Sequence, residues 1–324
     1  ALLPIAKQVK PTHLVLNNLF RDRMDRYGEI DTTFKKWLSL LSKLPKMTVI
    51  LNADDPSLAY LGSRITKHTV VYYGIKLPRQ SKTSLKQSAD AVFCPVCHTL
   101  LTYKSITFSH LGNYSCPCGF KRPTPSFYAE SVNTSIAKTS FVVRKQKLEV
   151  PLLGMYNAYN ALAAYCLSMS LGIEKRKAVA AIKQFKPVSG RQEVLQVKGK
   201  KVQLLLVKNP TGFDQVISTL QNFGKKITLC IAINDRIADG TDISWLWDVD
   251  FEQLKGLVKK IVVTGDRALD MGLRLKYAGF SPDQFIVETD RETALKVFLR
   301  EKSSNLFLLP TYTALWELRK ILTK

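Results

Sequence analysis

Ile227-Thr228-Leu229-Cys230-Ile231-Ala232-Ile233 is a seven-residue run with one hydroxyl and no charge. It is short for a helix and rich in β-branched residues, so it reads as a strand buried on both faces, as in parallel sheets covered by helices. The same rhythm recurs on either side of it. Val202–Val207 precedes a helical pattern over Asp214–Phe223, Ile261–Thr264 precedes Arg267–Ala278, Phe285–Val287 precedes Glu292–Arg300, and Leu306–Leu309 precedes Ala314–Leu322. Five short apolar strands separated by helices predict a doubly wound parallel sheet. No G-x-G-x-x-G follows the first strand, so a dinucleotide site of the usual kind is not expected.

The N-terminal half repeats the pattern more loosely. His13–Leu16 and Met47–Leu51 read as buried strands flanking a helix from about Thr32 to Leu44, and Val70–Tyr73 gives a further strand. From Lys76 to Asp90 the chain turns polar and basic, as a connector into an insertion would. The 324 residues suffice for two domains, and 46% hydrophobic with 23% charged residues is the composition of a folded protein. No apolar run reaches the ~18 residues of a membrane span. The N-terminus lacks the apolar core of a secretory signal, so a cytoplasmic location is expected.

The formal net charge is +22, which suits nucleic acid, anionic lipid or a phosphate-bearing substrate. The lysines are scattered, and no basic run interleaves with aromatics as in a single-strand groove. A polyanionic substrate at a membrane face fits better than nucleic acid, and a simple solubilising role for the lysines stands beside it.

Cys94-Pro95-Val96-Cys97 and Cys116-Pro117-Cys118 bracket a strand-like stretch containing Tyr103, Ile106 and Phe108. Clustered thiols at this spacing in a cytosolic chain predict tetrahedral Zn2+ held by Cys94, Cys97, Cys116 and Cys118. The second pair is one residue short of C-x-x-C, which leaves His98 or His110 as a substitute ligand. Cys166 and Cys230 fall within apolar patterns and read as core residues.

Four further stretches carry chemistry. Leu153-Gly154-Met155-Tyr156-Asn157-Ala158-Tyr159-Asn160 is followed by Gly190-Arg191-Gln192-Glu193. Together they offer a glycine-opened helix, two amides one turn apart and an arginine able to meet a phosphate, or else only a glycine-capped amphipathic helix. Asn52-Ala53-Asp54-Asp55-Pro56 ends an apolar strand, and Arg21-Asp22-Arg23-Met24-Asp25-Arg26-Tyr27-Gly28-Glu29 follows another. Asn234 to Asp250 packs five aspartates and two tryptophans into one loop behind the strand quoted first, where α/β proteins build function. The plainer reading of that loop is a solvated turn with its tryptophans packed on the sheet.

This set of motifs resembles the Mur ligase superfamily and, within it, the MurT-like family. The resemblance implies a truncated Mur ligase central domain over 1–190, with a zinc ribbon inserted at about 88–128. It also implies a Rossmann-like C-terminal domain over 191–324. In such ligases ATP phosphorylates a substrate carboxylate and an amine attacks the acyl phosphate, while Mg2+ and cationic side chains absorb charge. By resemblance Asn157 and Asn160 lie at the adenine, and Arg191 reaches the nucleotide from the hinge between domains. Asn209-Pro210-Thr211-Gly212 occupies the place of the D-x-A-H-N-P motif, with Lys208 in place of its histidine and Leu205 in place of its ribose-binding aspartate. Asp22, Asp25, Asp54 and Asp55 are candidates for organising metal and substrate. For Asp54-Asp55-Pro56 a helix N-cap before a first-turn proline is the alternative.

No G-T-x-G-K-T/S phosphate loop occurs. The expectation is a piece of a longer protein whose phosphate loop precedes Ala1, the alternative being a partner that has lost catalysis. The resemblance further implies that the C-terminal domain docks a GatD-like glutamine amidotransferase subunit. There Asp239, or failing it Asp235, would complete the partner's cysteine–histidine pair. The implied reaction is amidation of the stem-peptide D-glutamate of lipid II at the cytoplasmic membrane face. A noncatalytic glutaminase activator and a zinc-ribbon nucleic-acid-binding protein are the rival classes.

Overall fold

A computed structural model of the chain describes residues 2–22, 28–76, 83, 85, 89–135, 137–187, 191–221, 223, 226–303 and 305–323. Two units emerge, one from Ala1–Arg21 and Tyr27–Phe185, the other from Asp22–Arg26 and Lys186–Lys324.

The first unit runs α1 (Leu2–Val9), β1 (His13–Leu16), α2 (Ile30–Lys43), β2 (Thr48–Asn52), α3 (Pro56–Arg64) and β3 (Thr69–Ile75). A small ribbon of β4 (Thr102–Phe108) and β5 (Leu111–Ser115) follows. Then come β6 (Phe127–Thr134), β7 (Thr139–Val143), β8 (Gln146–Val150), α4 (Met155–Ser170) and α5 (Lys175–Lys183). Six strands form one sheet in the order β1-β2-β3-β6-β7-β8. The first four pair in parallel, whereas β6 with β7 and β7 with β8 pair antiparallel. β2 shows why: Val49 and Leu51 enter the core beneath α2 and α3, while Ile50 enters the core against α4. Both faces of the strand are covered, so its sequence is a continuous apolar run. In β6–β8 buried and exposed residues alternate, and lysine, glutamate and serine on the open face hide the strands from a search for apolar runs.

The second unit begins with β9 (Arg191–Val197) and β10 (Lys200–Leu205). It continues α6 (Pro210–Gln221), β11 (Ile227–Ala232), β12 (Val258–Thr264), α7 (Ala268–Tyr277), β13 (Phe285–Val287), α8 (Arg291–Arg300), β14 (Leu306–Pro310) and α9 (Tyr312–Leu322). The sheet order is β13-β12-β11-β14-β10-β9. β10 to β14 are the five expected strands and are mutually parallel. β9 corrects the all-parallel expectation, because it pairs antiparallel to β10. Lys198 (φ 47°) and Gly199 (φ 75°) both take the left-handed conformation that tight hairpins require. All six residues of β11 are buried, so this strand is the centre of the unit. α6 starts at Pro210, four residues ahead of the predicted Asp214, because Asn209 caps it: the Gly212 N–H donates to Asn209 Oδ1 at 2.8 Å.

Candidate functional site

The four cysteines converge at the tip of the ribbon. Their sulfurs lie within 4.8 Å of one another, with Cys94 and Cys118 3.6 Å apart and Cys97 and Cys116 3.4 Å apart. A tetrahedral Zn–S bond of about 2.3 Å sets sulfurs about 3.8 Å apart, so the donor set and its spacing suit that ion. Hydrogen bonding to Thr99 holds the Cys97 thiol down to about 6. Neither histidine joins this group among the described residues. His110 is buried elsewhere, its ring against Phe20 and Nε2 3.5 Å from Asp55 Oδ2. Cys166 and Cys230 are core residues, and burial pushes both thiols up to about 12.

The loop after β2 is sealed. Asp54 and Asp55 have no exposed surface. Asp54 Oδ1 accepts from Arg122 Nε at 2.6 Å, and its Oδ2 accepts from Tyr159 Oη at 2.6 Å and from the Ile75 N–H at 2.8 Å. Burial raises the Asp54 carboxyl above the usual range, against the pull of Arg122 and these hydrogen bonds. The approach is close enough that a Cβ on Gly74 would stand 2.4 Å from Asp54 Oδ1. Asp55 caps α3, accepting from the Ser57 and Leu58 N–H groups at 2.9 and 3.2 Å, and takes a third bond from the Leu19 N–H at 2.8 Å. The ribbon completes the seal through Tyr114 Oη on the Ala53 carbonyl (3.0 Å) and the Gly112 N–H on the Asp54 carbonyl (3.0 Å). These aspartates therefore correct the metal-and-substrate expectation: they cap a helix and anchor the ribbon.

The paired asparagines of α4 also look inward. Asn157 is buried, donating from Nδ2 to the Leu153 carbonyl at 2.6 Å, and its Oδ1 accepts from Asn160 Nδ2 at 3.2 Å. Exposed Asn160 in turn accepts from Asn17 Nδ2 at 2.5 Å, and Tyr73 Oη donates to Asn17 Oδ1. The pair thus holds the loop that follows β1, and Asn160 alone presents surface. The Arg191 side chain and Asp25 lie outside the described residues. Asp22 ion-pairs with Lys208 at 2.6 Å.

At the carboxyl end of the second sheet, Asn234 joins three strand-end loops. Its N–H donates to Thr311 Oγ1 at 2.9 Å, its Nδ2 to Thr313 Oγ1 at 2.9 Å, and its Oδ1 accepts from the Asp266 N–H at 3.0 Å. Gly265 (φ 99°) packs onto this junction, where a Cβ would meet the Ile233 carbonyl at 2.5 Å. Asp239 is buried here as well, its Oδ1 accepting from the Thr313 N–H at 2.7 Å and its Oδ2 from Thr313 Oγ1 at 2.5 Å. It caps α9 from a distant loop, since the local hydroxyl of Thr311 is taken by Asn234. Asp235 sits nearer the surface, bound by Arg267 at 2.7 Å. Around them Ile237, Leu269, Leu273, Tyr312 and Trp316 stand exposed. Sequence reasoning missed Asn234 as the junction; its signal was an asparagine directly after the central strand.

A middle-domain sheet followed by a parallel-sheet unit is the fold of the Mur ligases. The structure superposes on a pseudomurein peptide ligase type C from Methanothermus fervidus with a TM-score of 0.73 at 22% identity, covering 99% of this chain and 65% of that one. It matches MurF from Acinetobacter baumannii with a TM-score of 0.67 at 14% identity, over 98% of this chain and 60% of that one. Residues 4–168 match the family described as Mur ligase middle domain, and residues 206–315 that described as MurT ligase C-terminal. Subunit MurT of the glutamine-hydrolyzing lipid II isoglutaminyl synthase of Streptococcus pneumoniae is 32% identical over 325 residues, 99% of this chain and 72% of that protein. Its Staphylococcus aureus (strain COL) counterpart is 34% identical over 96% of this chain and 70% of that protein. The chain belongs to the MurT family of Mur ligases.

Proposed function

We propose that this chain supplies the synthetase part of a glutamine-dependent lipid II isoglutaminyl synthase in peptidoglycan synthesis. The observation that carries the reading is the match to two MurT subunits along almost the whole chain. The γ-phosphoryl group of ATP passes to the α-carboxylate of the stem-peptide D-glutamate. Ammonia attacks the acyl phosphate, and phosphate leaves as the amide forms. Mg2+ would screen the phosphate charge during this transfer. Arg191 and Asn160 serve the nucleotide, Asn157 fixes Asn160, and Asn209 fixes the start of α6. Zn2+ held by Cys94, Cys97, Cys116 and Cys118 gives the ribbon the rigidity that so small an apolar core does not. The reaction places the protein in the cytoplasm, at the inner membrane face.

Ammonia comes from a GatD-like glutaminase seated on the carboxyl edge of the second sheet. The exposed Ile237, Leu269, Leu273, Tyr312 and Trp316 are apolar side chains of the kind a protein interface covers. Asp239 is the carboxylate offered to the partner's histidine, with Asp235 as the alternative. Its two bonds from Thr313 hold it in one orientation, as an orienting carboxylate must be held.

The test uses the full-length protein reconstituted with its glutaminase and lipid II, with conversion of carboxylate to amide read by mass spectrometry. Asp239→Asn is expected to lower glutamine-driven amidation by about 10⁴-fold and to leave amidation by free ammonium intact. Absence of ATP-dependent amide in the wild-type complex overturns the reaction. Normal glutamine use by both the Asp239 and Asp235 variants overturns the role of the loop alone.

A further inference from the structure

Arg236, Asp266, Arg291 and Glu317 close a ring of ion pairs at the carboxyl edge of the second sheet. Arg236 Nε meets Asp266 Oδ2 at 2.9 Å, and Asp266 Oδ1 meets Arg291 Nη2 at 2.5 Å. Arg291 Nε lies 2.8 Å from Glu317 Oε2, and Glu317 Oε1 returns to Arg236 Nη1 at 2.5 Å. The members come from the loops after β11 and β12, the first turn of α8 and the middle of α9, and their charges cancel. Ion pairs as exposed as these add little to stability, so stability alone does not account for four of them joined in a ring.

Asp239 belongs to the same assembly. Thr313 and Glu317 are four positions apart and share one face of α9. Thr313 holds the Asp239 carboxylate, while Glu317 holds the Arg236 side chain. The Arg236 carbonyl in turn accepts from the Asp239 N–H at 2.7 Å and the Gly240 N–H at 3.0 Å, which closes the turn. An arginine three positions before an aspartate in one turn is a ready partner for it. Yet no cation pairs with Asp239 among the described residues. Asp235, by contrast, is neutralised by Arg267 at 2.7 Å. Asp239 is also not sealed, since it keeps 7% of its surface where Asp54 and Asp55 keep none.

We propose that the ring sequesters Arg236 and Arg291, so that Asp239 meets the glutaminase as a carboxylate with no cation of its own. This rests on the role given to Asp239 above. A carboxylate that orients a partner's imidazole and stabilises its charged form does so with its own negative charge. A guanidinium on the same carboxylate would cancel that charge and occupy its oxygens. Arg236, Asp266, Arg291 and Glu317 are therefore positioning residues that act through Asp239.

The test uses the full-length protein with its glutaminase, and reads glutamate release over a range of glutamine concentrations. Glu317→Gln frees one side of Arg236 and is expected to lower kcat about tenfold, with KM, partner binding and melting temperature unchanged. Arg236→Gln/Glu317→Gln removes the freed cation as well, and should return kcat to within about threefold of the wild type. Loss of rigidity alone would make the double variant the worse of the two. Amidation by free ammonium should be equal in all three proteins. Normal kcat in Glu317→Gln, or a double variant no better than the single one, overturns the proposal. An inactive Asp239→Asn beside a normal Glu317→Gln removes the ring's role alone, whereas normal glutamine hydrolysis by Asp239→Asn removes the role of Asp239 and this inference with it.

Discussion

The two sheets end their central strands in the same way and put the result to different uses. β2 runs into Asn52-Ala53-Asp54-Asp55, and β11 runs beyond Ile233 into Asn234-Asp235 with Asp239 close behind. In each, an asparagine turns the chain at the carboxyl edge and aspartates follow. In the first unit a ribbon inserted between β3 and β6 closes over the turn, so Asp54 and Asp55 are wholly buried, held by Arg122, Tyr159 and the first turn of α3. In the second unit Asp235 pairs with a half-exposed arginine and the surrounding apolar side chains stand open. The two edges thus differ in cover: the ribbon closes over the whole of the first turn, whereas at the second Asp239 is buried under Thr313 and Asp235 keeps part of its surface.

The harshest way to break this contrast is to remove the cover. Under the zinc proposal, stripping the metal with chelator or replacing Cys94 with serine should unfold the ribbon, forfeiting metal binding on the order of 10 kcal/mol. The second sheet should keep its unfolding transition. Thiol labelling followed by mass spectrometry reads the event. Near neutral pH the stripped protein should take label at the four ribbon cysteines, which the metal-loaded protein protects. Cys166 and Cys230, pushed up to about 12 by burial, should react only after denaturation.

A sharper cut leaves the ribbon in place and removes its anchor. Arg122→Ala strands the Asp54 carboxylate and should cost about 3–5 kcal/mol in denaturant unfolding. A joint Arg122→Met/Asp54→Asn change should recover most of it, because no buried charge then stands alone. Next in size is the cap. Asp239→Ala removes the acceptor for the Thr313 N–H and should cost about 0.5–2 kcal/mol. Asp239→Asn keeps one acceptor and should cost less, which separates the structural duty of this residue from its proposed duty to a partner. The smallest effect belongs to the open edge itself. Asp235→Ala breaks a pair whose Arg267 side chain is 43% exposed, and should cost no more than about 1 kcal/mol.

The parallel strands were legible because burial on two faces writes a continuous apolar run, as at Val49–Leu51 and Ile227–Ile233. The four cysteines were legible because their spacing already implies convergence. β6–β9 were not, since edge strands and strands with one open face alternate polar and apolar residues. At the sites, residue type alone did not show which polar groups the fold engages. Asp54 and Asn157 carry the right groups for metal and adenine, yet Arg122, 68 positions further along, and the Leu153 carbonyl already use them. Partners that distant in sequence leave no local trace.

Placing the ribbon between two adjacent strands also sets an order of assembly. β3 and β6 are side by side in the sheet but are separated by the whole insertion, and Tyr159 closes onto Asp54 across 105 positions. Such contacts reward the chain only after a long loop has been closed. Under the zinc proposal, a ribbon folded around its ion would shorten that loop before the sheet is joined. Metal supply during synthesis would then set how fast the middle sheet matures, and a shortage of the ion would delay that unit while the C-terminal unit folds at its usual rate.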